Sequence, residues 1–171
     1  MALRLFEERG FAHVTMDEIA EAAEVSRRTL FRLFPSKTDL VWDGLSQVLD
    51  TVKARATELP AAMTLAQLIE QLVASTLRML DDPEAAKVAR RRLSLIAAAP
   101  ELLNHALLDE LQTFFEQLIE RHVKKPSAPA SLTARTLSAI GFASILWWAQ
   151  HEESGLTAAQ AFHAALGSLG P

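Results

Sequence analysis

The stretch "VTMDEIAEAAEVSRRTLFRLFPSKTDL", residues 14–40, decides the fold. It holds three helix starts in close succession. "TMDE" is a capping box: Thr15 caps, and Glu18 reaches back from the third helical position. At roughly 100° per residue, Met16, Ile19, Ala20 and Ala23 share one face, and Asp17, Glu18 and Glu21 take the other. This helix is expected to end near Ala23. Ser26 then caps the next helix after a turn of about three residues. Pro35 stops that helix after Phe34, and Ser36 caps another. A small residue, Ala20, stands where the first two of these helices would cross. Helix, short turn and helix in this order are a helix-turn-helix, whose second helix enters the DNA major groove.

That second helix, 27–34, sorts its side chains by face. Leu30 and Phe34 point inward, while Arg27, Arg28, Thr29, Phe31 and Arg32 make the outward arc. Arginine forks suit guanine edges, and methyl or aromatic groups suit thymine methyls. Lys37 and the free amides at the start of the following helix are placed to hold a phosphate. Taken alone, such an arc is equally well a solvated basic face with one packed Phe; the helix-turn-helix context favours the DNA reading.

Working outward, the 171-residue chain suits one or two domains, is half apolar and carries a formal net charge of −4. Leu and Ala dominate, Tyr is absent and nearly every segment has helical period, so the expected class is all-α with about nine helices. The first helix is expected over 1–9, with little room before Leu5, and Gly10 as its stop. After the helix-turn-helix the expected helices span 37–59, 64–80, 83–98, 100–122, 132–152 and 158–169. "KKPSAPAS", 124–131, reads as a linker, and Thr157 with Gln160 forms another capping box. The change from short capped elements to long amphipathic helices places a domain boundary at 43: residues 1–43 bind DNA and 44–171 form a larger helical domain. Cysteine is absent, which excludes disulfides and thiolate metal sites and fits a reducing cytoplasm. No apolar run approaches the roughly 18 residues of a membrane helix. None of the five histidines has Glu three residues before it, so the Glu-x-x-His pairs of a di-iron bundle are missing. The six glycines are isolated, so there is no nucleophile elbow or phosphate loop. No enzyme, metal or cofactor is expected.

"LFEERGFAHVTMDEIAEAAEVSRRTLFRLFPSKTDL", from Leu5 to Leu40, closely resembles the DNA-binding domain of the TetR family of bacterial transcriptional repressors. "SRRTLFRLFPSK…DLVW" is most similar to an actinobacterial subset that includes mycofactocin-associated regulators. The resemblance covers about a fifth of the chain. It implies a homodimer reading a palindromic operator in double-stranded DNA. By position it makes Arg27, Arg28 and Thr29 base-edge readers, assigns backbone and methyl contacts to Phe31, and makes Thr15 and Lys37 phosphate anchors; Ser26 and Arg32 complete the candidate interface. Two residues depart from the pattern. Glu24 stands where the family usually has Gly, at a cost of roughly 1 kcal/mol if that residue is left-handed. Leu33 stands where a phosphate-reaching Tyr or His is frequent. The basic arm that often precedes the first helix is missing too. Residues 1–43 hold six bases and eight acids, net −2, so DNA affinity has to come from a local patch and be strongly salt-dependent.

The resemblance further implies that 44–171 form the ligand-binding and dimerisation domain. Leu137, Ile140, Gly141, Ser144, Trp147, Ala161 and Ala165 are its expected dimer interface. Met79, Arg91, His105, Leu111, Phe114, Phe115 and Trp148 are candidates for an apolar pocket taking a hydrophobic effector, although each is also an ordinary core candidate. "KVARRR", 87–92, reads as a solvated basic face or as an anion contact for an acidic effector such as an acyl thioester. The expected function is a ligand-responsive repressor. The alternative is a protein-interaction module that kept this fold without DNA binding.

Overall fold

The computed structural model describes residues 1–60, 62–122 and 130–168. Its α-helices are α1 (Ala2–Arg9), α2 (Met16–Ala22), α3 (Arg27–Leu33), α4 (Lys37–Trp42), α5 (Leu45–Glu58), α6 (Leu65–Leu77), α7 (Pro83–Ala98), α8 (Ala106–His122), α9 (Ala130–Gln150) and α10 (Ala158–Gly167). Short 3-10 turns fill Phe11–His13, Arg78–Asp81, Pro100–Leu103 and Glu152–Ser154. There is no strand among the described residues. The class is all-α, as expected.

The caps set the element starts. Thr15 and Glu18 form the expected capping box, and Ser26, Ser36 and Asp82 each accept a backbone N–H from the third helical residue. Thr157 and Gln160 repeat the box at α10. Each such cap satisfies an otherwise orphaned amide, worth about 1 kcal/mol. Two expected helices divide instead. The one expected over 37–59 breaks after Trp42: Asp43 leaves the helical region at ψ 138° and Gly44 is left-handed at φ 81°. A Cβ at Gly44 would also meet the Arg92 guanidinium at 3.3 Å. The one expected over 100–122 opens with a 3-10 turn, and α8 starts only at Ala106. Helix α9 begins at Ala130, so the rest of the expected linker, 124–129, lies outside the described residues.

The main core cluster runs through both ends of the chain, with two smaller ones around Leu68 and Ile119. Phe6, Val14, Ile19, Ala20, Leu30 and Trp42 join Ile96, Leu102, Trp148 and Phe162 in a single buried cluster. Helix α9 is its axis, packed against α7, α8 and α10. Ala20 is buried with Leu30, as a close α2–α3 crossing requires.

Candidate nucleic-acid interface and ligand cavity

Helix α3 carries the basic arc. Leu30 is buried and Phe34 half-buried, while Arg27, Arg28, Phe31 and Arg32 are exposed. Arg28 and Arg32 have no carboxylate partner among the described residues. Four residues apart on one helix, they repel by a few tenths of a kcal/mol. The other candidates are already engaged. Arg27 pairs with Asp17 of α2 at 3.1 Å and lies over the Phe31 ring at 5.3 Å. Phe31 keeps 37 % of its surface exposed. Ser26 Oγ accepts the Thr29 N–H at 3.1 Å and shares a hydrogen bond with Thr29 Oγ1 at 2.8 Å, so both hydroxyls serve the cap. Lys37 Nζ donates to the Phe11 carbonyl at 2.8 Å and sits 4.6 Å from the Phe11 ring centre. It ties α4 to the turn after α1.

Thr15 is bound to Glu18. The Glu18 carboxylate accepts the Thr15 N–H at 2.7 Å, the Thr15 hydroxyl at 2.8 Å and Arg9 Nη2 at 2.6 Å. These donors, the Thr15 amide first, hold its pKa down at about 2. Glu24 has φ 55°, the one positive φ of a non-glycine among the described residues. Leu33 is 60 % exposed and reaches no polar partner.

The larger helical part, with Trp42 of α4, lines a partly open cavity of about 320 Å3. Of the seven candidates named from the sequence, Met79, Leu111 and Phe115 line it and four do not. Arg91 makes a bidentate pair with Glu7 of α1, Nε to Oε1 at 2.7 Å and Nη2 to Oε2 at 2.5 Å. That pair lowers the Glu7 pKa and raises that of Arg91. His105 stacks on Trp42, Phe114 packs in the core beside the cavity, and Trp148 is buried under Arg90 with its N–H on the Leu156 carbonyl at 3.0 Å. Arg91 faces a second, open hollow of about 560 Å3 between α1 and α7. No residue of "KVARRR" except Ala89 lines the apolar cavity. Arg92 turns to the α4–α5 break, where burial lowers its pKa against the pull of Asp43. Sequence reasoning missed Trp42, Ser138, Phe142 and Ile145 on the cavity wall. The signal was present: Leu137, Ser138, Gly141, Phe142 and Ile145 recur at helical spacing along α9.

Several expected dimer residues turn inward. Leu137 and Gly141 line the cavity, and Ser144 and Ala161 are buried within the chain. Ile140 packs partly buried on the core, and Ala165 is half-buried. Trp147 is 42 % exposed and stacks on His151 at 4.5 Å. No helix among the described residues is long and apolar enough to cross a membrane, and none of their carboxylates and histidines cluster as a metal site.

Comparison with known proteins agrees with this architecture. Residues 1–42 match the model for bacterial regulatory proteins of the tetR family. The chain is 26 % identical over 166 residues to MftR of Mycobacterium tuberculosis, a regulator assigned to mycofactocin biosynthesis, covering 93 % of this chain and 81 % of that one. It is 25 % identical over 154 residues to the transcriptional repressor KstR of Rhodococcus jostii, covering 89 % and 71 %. Among solved structures, the Thermus thermophilus TetR-family repressor FadR, in complex with lauroyl-CoA, matches with a TM-score of 0.58 and 27 % identity over 96 % of this chain and 87 % of that one. These relatives are regulators of transcription and not enzymes. With its helix-turn-helix in the matched segment 1–42 and an all-helical body behind it, the chain is similar to the tetR family of bacterial regulatory proteins.

Proposed function

We propose that this protein is a cytoplasmic repressor that binds a palindromic operator as a homodimer and lets go of it on binding a hydrophobic small molecule. Residues 1–43 would be the DNA-binding domain and 44–171 the effector and dimerisation domain. The observation that carries the reading is the exposed, unpaired pair Arg28 and Arg32 on a helix-turn-helix scaffold. Two like charges kept side by side without a counter-ion suit a surface completed by phosphates and guanine edges. Arg27, Thr29 and Phe31 would share that surface, and Thr15, Ser26 and Lys37 would flank it once their present partners yield to phosphate. The uncharged cavity supports an apolar effector. Trp147 and the half-buried Ile140 and Ala165 are what remains of the expected dimer surface. The test is nuclease footprinting on the DNA around the protein's own gene. A protected palindrome is expected, lost in Arg28→Ala; no protection at low salt would defeat the proposal.

One observation favours a second reading, a protein-interaction module. Leu33 presents an apolar surface at the end of α3, where a phosphate contact is expected. An operator affinity indifferent to Arg28→Ala would select it.

A further inference from the structure

The cavity wall carries no Asp, Glu, Lys, Arg or His. Its two hydroxyls belong to Thr76 and Ser138. Thr76 Oγ1 donates to the Leu72 carbonyl at 2.8 Å, the ordinary way a helix absorbs a Thr. On α9 itself Thr136 donates to the Leu132 carbonyl at 3.0 Å, and Ser144 donates to the Ile140 carbonyl at 2.5 Å. Ser138 departs from this habit. Its Oγ is buried and has no hydrogen-bond partner among the described residues. Burying a hydroxyl without a partner is unfavourable, and an apolar side chain of the same size would avoid it. The indole N–H of Trp42, the other polar group on the wall, is already spent on the Leu102 carbonyl at 3.0 Å. The cavity thus offers one free donor in a lining that is otherwise aliphatic and aromatic.

We infer that Ser138 is the specificity-determining contact of this cavity, donating its hydroxyl proton to the carbonyl oxygen of an uncharged lipophilic ligand. The inference rests on the cavity being the effector site and deepens it: the ligand class is a neutral carbonyl compound, and an anion is refused. A carboxylate would enter a site with no cation on its wall, which costs far more than one hydrogen bond returns. A hydrocarbon would fill the same volume but leave Ser138 unpaired. A carbonyl satisfies the hydroxyl without bringing a donor that the wall cannot answer.

Three probes of ten carbons separate these cases: butyrophenone, butylbenzene and phenylbutyrate, titrated calorimetrically into the full chain and into Ser138→Ala. Wild type should bind butyrophenone, and Ser138→Ala should lose about tenfold in that affinity. The variant should bind butylbenzene as well as wild type does, and phenylbutyrate should bind wild type at least tenfold more weakly than the ketone. The ligand-free variant should melt no lower than wild type, since it loses no internal bond. Butyrophenone binding that Ser138→Ala leaves unchanged would overturn the inference alone. Phenylbutyrate binding as tightly as the ketone would overturn it too. Failure of all three probes to bind wild type would overturn the effector reading together with it.

Discussion

The Trp42 indole stacks on the His105 imidazole, with ring centres 4.8 Å apart and planes within 7°. Trp42 ends the short helix α4, whose first residue, Lys37, holds the carbonyls behind α1. His105 precedes α8 and is fixed in turn. Its Nδ1 accepts the Leu107 N–H at 3.1 Å, which leaves the proton on Nε2, 3.5 Å from Asp39 Oδ1. Phe142 of α9 stacks on the same indole at 5.9 Å. Trp42 thus lines the cavity at one end of α4, while the other end of that helix is tied to the turn after α1, beside the helix-turn-helix.

Trp42→Ala should therefore be among the most destabilising single changes, by about 3–5 kcal/mol, because it opens a void beside an existing cavity. Trp42→Phe keeps a ring but leaves the buried Leu102 carbonyl without its donor, at about 1–3 kcal/mol. Urea denaturation followed by the remaining tryptophans measures both. A Trp42→Ala loss under about 1 kcal/mol would show that the stack does not join the two parts of the core.

Asp17→Asn should strengthen operator binding several-fold. Asp17 pairs with Arg27 across the α2–α3 turn, and both side chains are more than half exposed. Such a pair adds little to stability, so the fold should not register the change. The substitution removes one negative charge from the DNA-facing side and frees one guanidinium for phosphate. The slope of log affinity against log salt should steepen by about one. Mobility-shift titrations across a salt series read it, and an unchanged slope would mean that Arg27 faces away from DNA.

Glu24→Gly should stabilise the protein by up to about 1 kcal/mol. The residue sits at φ 55° in the α2–α3 turn, where a Cβ is strained and glycine is not. Part of the gain is offset by glycine's larger unfolded entropy. The thermal midpoint should rise by roughly 2–4 °C for a chain of this size; a fall would mean that the Glu24 side chain contributes something the left-handed backbone conceals.

What could be read from the sequence, and what could not, divides by range. The capping boxes at Thr15 and Thr157, the Pro35 stop and the inward face of α3 all depend on residues within four positions, and each stands where local rules place it. The left-handed backbone at Glu24 was signalled only through the family resemblance, which usually has Gly at this turn. The break at Asp43 and Gly44 was not. A glycine inside a helical pattern is ambiguous until the chain that presses on it is known, and here that is Arg92. Arg91 reads as a pocket cation until its partner appears 84 positions away in Glu7. The small residues of α9 misled for a related reason. Small side chains permit any close neighbour, and Gly141 spends that permission on Phe162 of its own chain, 3.8 Å from where its Cβ would be.

The acid side of the stability profile should carry the signature of Glu18. In the folded chain its carboxyl titrates at about 2, against 4.5 for the free group. A depressed carboxylate contributes stability that is fully present above the unfolded pKa and disappears as pH falls toward the folded one. The window is therefore about pH 4.5 down to about 2, and nothing from this group should change above it. Glu7, depressed by Arg91, acts in the same direction. Thr15→Ala removes the hydroxyl that both caps α2 and donates to Glu18, leaving the Thr15 amide and Arg9 as donors. The variant should lose about 1 kcal/mol near neutral pH through the cap and lose less than wild type on acidification, so the two profiles converge toward pH 2. Denaturant midpoints at half-unit steps from pH 6 to pH 2.5 would show it. Parallel profiles would mean that the acid sensitivity of this chain lies in other carboxylates, because the Thr15 hydroxyl is one of the donors that hold the Glu18 pKa down.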